Sequence, residues 1–534
     1  MTAGRGEALR LLRSDPELDA RLRAFVLPDM AAMLVHASDR TAARLRDELA
    51  RRQHTLPAPL AAVWAAGRLE EQARSLTVLT LAVRLAAGEC EDDLRLALAL
   101  LDDPHRPVMV TGGAGTGKST LIRHWRASHP EWNILTCAPT GVAALNVDGV
   151  TIHRLIHSGA DVDPEKAARA GRRARMDPGE ARLYANLDAL VVDEMSMMRA
   201  DLTDALDRFL RAVRGSRRPF GGVKTVLVGD LAQLPPVVQE EETAMFGPDG
   251  EWEGPWCFQS RVLAESGSLG FVELTEVHRQ ADPAFAGALN MMREGGTGGL
   301  PLVNSRVGAP WDPERTVTLT AYNRRADEIN DRMLSRLPTP EWRRAAQTAG
   351  QWNPRLDPAP KLLRMRAGMR VMLLSNDRAG RWANGSTGVL VSYDPHADEA
   401  LVLPDGADAP VLVTAHEWRV TRPQVVADPD DPEGRPRIEQ RPLGSFSQLP
   451  IRPAWAVSIH KSQGGTFDRV RVELPARPLF APGQAYVAFS RCRTLEGMSV
   501  NRALTVADVR ADPAAIAFLH RMRARPAAYQ TALF

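Results

Sequence analysis

The segment Val108–Thr120, VMVTGGAGTGKST, has residue types and a spacing that suit phosphate binding. A β-branched run ends at a glycine-rich turn, and helical character resumes at Leu121–Trp125. Such a loop points backbone N–H groups at a polyphosphate, at a helix N-terminus whose dipole favours negative charge. Lys118 would reach the β- and γ-phosphates, and Ser119 would place its hydroxyl on Mg²⁺. A chance glycine-rich turn would not explain the flanking strand and helix patterns. The residues predicted to line this nucleoside triphosphate site are Gly112, Gly113, Ala114, Gly115, Thr116, Gly117, Lys118, Ser119 and Thr120.

An acidic pair, Asp193 and Glu194, follows the apolar run Ala189–Val192, about 75 residues after Lys118. At the carboxyl edge of a sheet beside a phosphate loop, Asp193 would bind Mg²⁺ through water. Glu194 would polarise the attacking water. Taken alone, an Asp-Glu pair is usually a charge pair at a helix start, but its place after a buried strand favours the catalytic interpretation. Asp193 is therefore predicted as a metal ligand together with Ser119.

A further polar turn follows the run Thr225–Val228, within TVLVGDLAQLPPV. Asp230 ends the strand and is assigned to the nucleotide site. Gln233 stands just before two prolines, where its amide could bond the γ-phosphate and report its loss on hydrolysis. A satisfied loop amide is an equally acceptable interpretation of Gln233 at this point.

Two arginines could stabilise the charge on a transferring phosphoryl group. Arg279 lies in LTEVHRQ, and Arg491 follows the strand-like run Tyr486–Phe489 in AYVAFSRCR. The second could be delivered as a finger by a separate domain. Because most arginines form surface salt bridges, both assignments depend on their context.

The composition is that of an ordinary folded protein, with 44% hydrophobic and 25% charged residues among 534. The formal net charge of +2 means that any nucleic-acid-binding surface must be local. Cys90, Cys137, Cys257 and Cys492 lack zinc-site spacing and suggest a reducing compartment. The charged N-terminus lacks a signal-peptide core, and no apolar run is long enough to cross a bilayer. We expect a cytoplasmic protein with no membrane association.

Hydrophobic periodicity predicts the elements that carry these residues. Helical spacing dominates the first 100 residues, and βαβ rhythm begins near Pro107. The loop at 427–437, ADPDDPEGRPR, is expected to be mobile because it has almost no apolar residue. The predicted domains are 1–100, helical; 101–272, a first αβ domain; 273–370 with 449–505, a second αβ domain; 371–448, a small β insertion; and 506–534, a helical tail.

The order of short motifs resembles a known family. The motifs are GGAGTGKST, APTGVAAL, TIHRL, VVDEMSM, VGDLAQLPPV, LTEVHRQ, AWAVSIHKSQGGTFD and GQAYVAFSRCR. Over roughly Pro107–Val500 the chain closely resembles the Pif-type branch of the superfamily 1B (RecD-like) helicases, and it is identified as a bacterial member. The resemblance implies an α/β fold with two RecA-like P-loop domains, a small β-barrel-like insertion in the second, and a helical N-terminal domain. It also implies 5′→3′ translocation on single-stranded DNA, with unwinding of duplex or forked DNA in replication, recombination or repair.

The same resemblance assigns site residues through the matching motifs. Those of the ATP site are Gly115, Gly117, Lys118, Ser119, Asp193, Glu194, Gln233, Arg279, Gly465 and Arg491. Those expected to face DNA are Thr140, Gly141, His153, Ser458, His460 and Lys461. Each DNA-facing residue has an alternative: Thr140 and Gly141 could form a turn and helix cap, His153 could be a polar helix-start residue, and His460 could be a buried, hydrogen-bonded ring.

A locally basic stretch, Lys361–Tyr393, runs into the predicted insertion and holds six basic residues and one acidic residue. Arg366, Trp382 and Asn384 are predicted DNA contacts, because basic residues with a nearby aromatic ring suit backbone tracking and base stacking. A solvated face with one packed tryptophan has equal weight. The basic segment 155–187 is the predicted wedge at the DNA junction.

One feature departs from the family pattern. Relatives usually carry a glutamine shortly before the phosphate loop to read adenine, whereas here only Gln72, much farther upstream, resembles it. We therefore expect weak discrimination among nucleoside triphosphates, or an unusual path that brings Gln72 to the base. A RecD-like subunit of a larger complex and a non-processive ATP-dependent switch remain the alternative functions, and the N-terminal part could recruit a protein partner.

Overall fold

The computed structural model of the chain describes residues 92–524, except for 105, 160–161, 266–268, 281, 378 and 428–434. The helices expected before residue 92, the segment around Gln72 and most of the loop expected to be mobile lie outside the described residues. The first described element is a helix, α1 (Asp92–Asp102), which agrees with the helical spacing in that stretch.

Six parallel strands form the first sheet, in the order β3-β2-β4-β5-β1-β6. Their bounds are β1 Val108–Gly112, β2 Ile134–Ala138, β3 Val150–Thr151, β4 Ala189–Val192, β5 Lys224–Val228 and β6 Gly270–Leu274. The strand interiors are almost wholly buried because helices cover both faces. Val108 and Val110 enter one apolar core, whereas Met109, which points to the opposite face, enters the other.

The helices of this first domain follow the strands along the chain. They are α2 Lys118–Ser128, α3 Gly141–Asn146, α4 Ile152–Leu155, α5 Pro164–Met176, α6 Pro178–Ala185, α7 Ala200–Arg214 and α8 Arg261–Glu265. Aspartates cap the segment expected to be a wedge: Asp163 accepts hydrogen bonds at the start of α5, and Asp177 accepts one at the start of α6. The alanine face of α5 is buried while its arginines point outward.

A second parallel sheet has the order β18-β7-β19-β20 and a separate core. Its strands are β7 Val317–Thr320, β18 Ala456–Ser458, β19 Val470–Glu473 and β20 Met498–Val500. Its helices are α9 Pro283–Arg293, α10 Leu300–Asn304, α11 Asn323–Arg336 and α12 Gln484–Phe489. The α/β fold with two RecA-like parallel sheets agrees with the expected fold class.

One predicted element is wrong: the run expected as the strand Tyr486–Phe489 lies in the helix α12. All six residues of α12 are buried, so the run is apolar on every side. A short, continuous apolar run has no periodicity that separates a buried strand from a buried helix.

Between β7 and β18 lies a β module of three small antiparallel sheets. Its strands are β8 Trp342–Ala345, β9 Gln347–Gly350, β10 Leu362–Met365, β11 Arg370–Leu373, β12 Thr387–Asp394, β13 Glu399–Pro404, β14 Val411–Thr414, β15 His416–Val426, β16 Arg437–Gln448 and β17 Ile451–Pro453. Three of these strands precede the segment 371–448 in which the insertion was expected. The β15–β16 hairpin reaches the first domain, where the backbone N–H of Ile438 donates to Asn133 Oδ1 at 3.0 Å.

The C-terminal helix α13 (Pro513–Arg523) packs its apolar residues into the core of the first domain, and Arg523 also pairs with Glu294 at the end of α9 at 2.7 Å. Phe518 stacks on Phe258 with ring centroids 4.2 Å apart. Cys137, Cys257 and Cys492 are buried free thiols. Within the described ranges, every helix is too short or too polar to traverse a lipid bilayer.

Lys224 of β5 holds the segment that connects α1 to β1, the strand that leads into the phosphate loop. Its side chain is buried, and its ammonium donates to the carbonyls of Leu100 and Asp103 at 2.6 Å and of Arg106 at 2.9 Å. One cation therefore satisfies three carbonyl groups at the end of α1 and in the connection to β1.

Lys224→Met should destabilise the first domain because the methionine leaves these carbonyls without their donor. We expect the melting temperature to fall by roughly 5–10 °C in a calorimetric scan. Arg324→Ala is the matched control, since that side chain is 91% exposed and should change little. Equal melting temperatures for wild type and Lys224→Met would contradict this role.

Candidate active site

The predicted phosphate loop joins β1 to α2. Gly112, Gly115 and Gly117 have positive φ, and the Lys118 ammonium donates to the carbonyls of Gly112 and Gly113 at 2.8 Å each. Burial lowers the pKa of Lys118, against the raising effect of Asp230. The side chain therefore curls over the loop at the start of a helix, the position in which a lysine can bind phosphate oxygens.

The acidic pair lies at the carboxyl end of β4. Glu194 adopts a left-handed backbone conformation, with φ 53° and ψ 46°, and its N–H donates to Asp193 Oδ1 at 2.9 Å. Burial, and then the charge of Asp193, raises the pKa of Glu194 to about 7. A strained backbone and a perturbed carboxyl group are features that concentrate at functional sites.

The residues present fit a Mg²⁺ ion. Ser119 is exposed at the start of α2, Asp193 is a carboxylate at the carboxyl end of β4, and both offer the oxygen ligands that the ion prefers. Within the described part of the chain, no cluster of three or more His, Cys, Asp or Glu forms a metal cage of protein ligands. A site of one hydroxyl and one carboxylate, completed by substrate phosphates and water, suits Mg²⁺.

Asp230 and Gln233 lie at the end of β5. Gln233 Nε2 is 3.4 Å from Asp230 Oδ2, and Asp230 pairs with Arg293 of α9 at 2.9 Å. Although burial opposes it, nearby Arg293 and Lys118 hold the pKa of Asp230 below its usual value. Asp230 is therefore a buried anion at the centre of the cleft between the two sheets.

Two residues of the second domain touch these groups directly. Gln463 Nε2 is 2.9 Å from Gln233 Oε1 and 3.2 Å from Glu194 Oε2. The Tyr486 hydroxyl accepts a hydrogen bond from the backbone N–H of Ala114 at 2.7 Å and donates to Asp230 Oδ2 at 3.0 Å. Sequence reasoning did not select Gln463 or Tyr486, although both lie inside the motifs that supplied Gly465 and Arg491.

The two predicted arginines lie at the same seam. Arg491 is buried, and its guanidinium donates to the carbonyl oxygens of Val487 at 3.0 Å and Gly465 at 3.2 Å. Burial lowers the pKa of Arg491, while the charges of Glu194 and Asp230 act in the opposite sense.

Arg279 lies between the phosphate loop and the second domain. It donates to the carbonyl of Ser490 at 3.3 Å, and burial together with the charge of Arg491 lowers its pKa to about 9. Lys118 and both arginines therefore share a positively charged, water-poor cleft, which favours an anion.

The residues expected to face DNA are distributed over both domains. The Thr140 hydroxyl caps α3 by accepting from the N–H of Ala143 at 3.3 Å, as the capping alternative requires. Gly141 has no room for a Cβ because the side chain of Leu356 occupies that space. His153 is half-buried at the start of α4, and burial lowers its pKa.

In the second domain, Ser458 is buried and its hydroxyl donates to Asn323 Oδ1 at 2.6 Å. His460 and Lys461 follow β18 and are exposed, so the buried-ring interpretation of His460 is not observed. Both side chains are available to a ligand at the carboxyl edge of the second sheet.

In the stretch 361–393 the structure agrees with the alternative of a packed tryptophan rather than with a base-stacking surface at Trp382. Trp382 is only 7% exposed and packs in the core of the β module, with Arg381 over its ring at 4.8 Å. The Arg366 guanidinium donates to the carbonyls of Leu337 and Thr339. Charged neighbours are also paired: Arg370 pairs with Asp405, which lies outside the stretch, and Arg381 pairs with Asp377, which lies inside it. Asn384 remains exposed and donates to Asn146 of the first domain at 3.1 Å.

The sequence and the fold of this chain are similar to those of known proteins. Residues 98–247 match the model of the PIF1-like helicase family. A bacterial relative, ATP-dependent DNA helicase Pif1 of Bdellovibrio bacteriovorus, is 29% identical over 73% of this chain and 83% of its own length. Bacteroides sp Pif1 in complex with ADP-AlF4 superposes with a TM-score of 0.70 and 29% identity, covering 81% of this chain and 97% of that one.

The chain resembles the PIF1-like helicases in sequence and in fold.

Among the other relatives, human ATP-dependent DNA helicase PIF1 is 33% identical over 430 residues. The match covers 78% of this chain but only 61% of the human protein. The chain thus spans about three fifths of the length of the curated mammalian relatives that it matches.

Gly115→Ala tests the geometry of the phosphate loop. Gly115 has φ +84°, and a Cβ there would overlap the Cβ of Arg279, so the alanine both strains the loop and displaces the arginine. We expect the affinity for a fluorescent ATP analogue to fall by about tenfold or more. Gly287→Ala, in a helix with open space around the added methyl group, should bind like wild type. Unchanged binding by Gly115→Ala would contradict the site.

Proposed function

We propose that this protein is an ATP-dependent DNA helicase that moves 5′→3′ along single-stranded DNA. The observation that carries the proposal is the contact of Gln463, a residue of the second domain, with both Glu194 and Gln233 of the first. A hydrolytic centre completed across a cleft can convert hydrolysis into relative motion of two domains. The likeness to PIF1-like helicases in sequence, and to Pif1 structures in fold, supports the same activity.

Each residue at the seam has a proposed part in hydrolysis. Lys118 and the N–H groups of its loop hold the β- and γ-phosphates of ATP. Arg279 and Arg491 neutralise the charge that develops on the γ-phosphoryl group, and Glu194 orients and polarises the attacking water. A Mg²⁺ ion held through Ser119 and Asp193 supplies further charge neutralisation when it is bound.

Gln233 and Gln463 link hydrolysis to movement. Loss of the γ-phosphate removes a partner from the cations of the cleft, and the Gln233–Gln463 contact passes the change to the second domain. Gln463 lies two residues after Lys461, a predicted DNA contact. Opening and closing of the cleft would therefore alternate the grip on the strand.

Single-stranded and forked DNA are the proposed partners. Thr140, Gly141 and His153 of the first domain, with Ser458, His460 and Lys461 of the second, are the proposed contacts, and the exposed arginines of α5 are the proposed junction wedge. Bacteroides Pif1 has been solved bound to single-stranded DNA, at a TM-score of 0.57 to this chain. Because phosphate neutralisation supplies affinity without sequence reading, binding should weaken steeply with salt. A cytoplasmic location and weak selectivity among nucleoside triphosphates complete the proposal.

Unwinding of matched 5′-tailed and 3′-tailed duplexes tests the proposed function. With ATP and Mg²⁺, the protein should separate the 5′-tailed duplex and leave the 3′-tailed duplex intact. Lys118→Ala should lower DNA-stimulated hydrolysis on the order of 10²-fold or more while retaining DNA binding, because it removes a phosphate-binding cation. The assay follows a labelled strand released from the duplex, with phosphate release measured in parallel.

The possible failures are distinct. Separation of only the 3′-tailed duplex would contradict the polarity. Hydrolysis without strand release would favour the ATP-dependent switch or a subunit that needs partners. Full hydrolysis by Lys118→Ala would contradict the active-site assignment.

A further inference from the structure

Three aromatic rings form a row at the carboxyl edge of the second sheet. The rings of Tyr322 and Phe480 have centroids 5.5 Å apart and planes 20° from parallel. The rings of Phe480 and His460 have centroids 5.9 Å apart and planes 11° from parallel. Phe480 is therefore the middle member of a nearly parallel row, which we call the aromatic row.

The aromatic row is exposed although two of its members are large and apolar. Tyr322 is 52% exposed and Phe480 is 50% exposed, and His460 also faces solvent. Leaving such rings in water forgoes the free energy that their burial in the core would provide. An exposed set of parallel π-faces is thus a feature that needs a partner to explain it.

Hydrogen bonds anchor the backbone segments that carry Phe480 and Tyr322. Next to Phe480, Leu479 is buried, and its N–H donates to Asp508 Oδ1 at 3.1 Å. Asp508 is itself paired with Arg502 at 2.8 Å. Tyr322 is held at the first turn of α11 by a hydrogen bond from the Thr320 hydroxyl to its carbonyl at 2.9 Å. A platform fixed in this way loses little conformational entropy when a planar ligand stacks on it.

The chemistry beside the aromatic row favours nucleic acid over a protein partner. Lys461 directly follows His460 and is exposed, and Tyr322 and His460 follow the neighbouring parallel strands β7 and β18. The polar groups of Ser458 and Asn323 lie at the same strand ends. An exposed cation next to parallel aromatic faces is the combination that tracks a phosphate backbone while stacking its bases.

We propose that the aromatic row of Tyr322, Phe480 and His460 is a stacking platform for a nucleobase of single-stranded DNA. The inference rests on the proposed function, since it names the surface on which the second domain holds the translocated strand. Stacking is tolerant of sequence because every base has a π-face. It would let the second domain grip a base while Lys461 neutralises a phosphate.

Equilibrium binding of a fluorescein-labelled oligo-dT to the full chain, over a series of salt concentrations, tests the platform. Phe480→Ala should weaken binding about tenfold, the size expected for loss of one base–aromatic stack. Its slope of log K against log salt should equal that of wild type, because no phosphate contact is removed. Phe480→Trp should restore affinity to within about twofold, since the indole also stacks.

Two further variants complete the design. Lys461→Ala should reduce the magnitude of the salt slope by about one, which separates loss of a phosphate contact from loss of stacking. Trp311→Ala removes an aromatic ring that is 39% exposed, lies under Arg471 of β19 and is no member of the aromatic row, and this variant should bind like wild type.

Each outcome has one meaning. If wild type binds oligo-dT and Phe480→Ala binds equally well, the platform is overturned while the helicase proposal stands. A reduced salt slope in Phe480→Ala, or no rescue by tryptophan, would also overturn it, because the ring would then act by positioning Lys461. If wild type binds no oligo-dT at any salt concentration, the proposed function itself fails.

Discussion

The structure depends on a cleft in which several cations are withdrawn from water. Burial lowers the pKa values of Lys118, Arg279 and Arg491, which means that the fold opposes their charged forms. Asp230 and Glu194 are acidic groups that interact with both Lys118 and Arg491. A polyphosphate bound in the cleft would offset the free energy cost of burying these cations in both domains at once. The electrostatic balance of the seam can therefore make closure depend on the nucleotide.

A second network of ion pairs connects the residues of the cleft to the helices α9 and α13. Arg293 of α9 pairs with Asp230 and Glu273, and Glu273 also pairs with Arg523 of the C-terminal helix α13. These contacts join the end of β5, the edge strand β6, the first helix after the sheet and the last described helix. Because all of these carboxylates have partners, the network can be buried without leaving an isolated charge. The helix α13 thus helps to hold the end of β5, which carries Asp230 of the nucleotide site, in place.

Sequence patterns anticipated most strands of the two parallel sheets, because β-branched runs of central strands are short, buried and followed by helical spacing. They missed the short strands β3 and β20. They also placed Lys118, Glu194 and Gln233 in the loops that follow parallel strands, at the carboxyl edge of the sheet. They failed where the deciding information is not local. The helical state of Gln484–Phe489 depends on burial from all sides, and the ion pairs of Arg366 and Arg370 depend on partners in other segments. Gln463 acquires its importance only when the second domain lies against the first.

The most direct test of the shared cleft is single-turnover ATP hydrolysis by Arg491→Lys in the presence of single-stranded DNA. An arginine that neutralises the transferring phosphoryl group contributes about 10³-fold or more to the rate, and lysine cannot reproduce its planar geometry. The account predicts such a loss with nucleotide affinity changed only a few fold. Arg493→Ala, an exposed neighbour paired with Asp468, should hydrolyse ATP like wild type. A hydrolysis rate for Arg491→Lys within about tenfold of wild type would contradict the account, because the second domain would then supply no cation to the reaction.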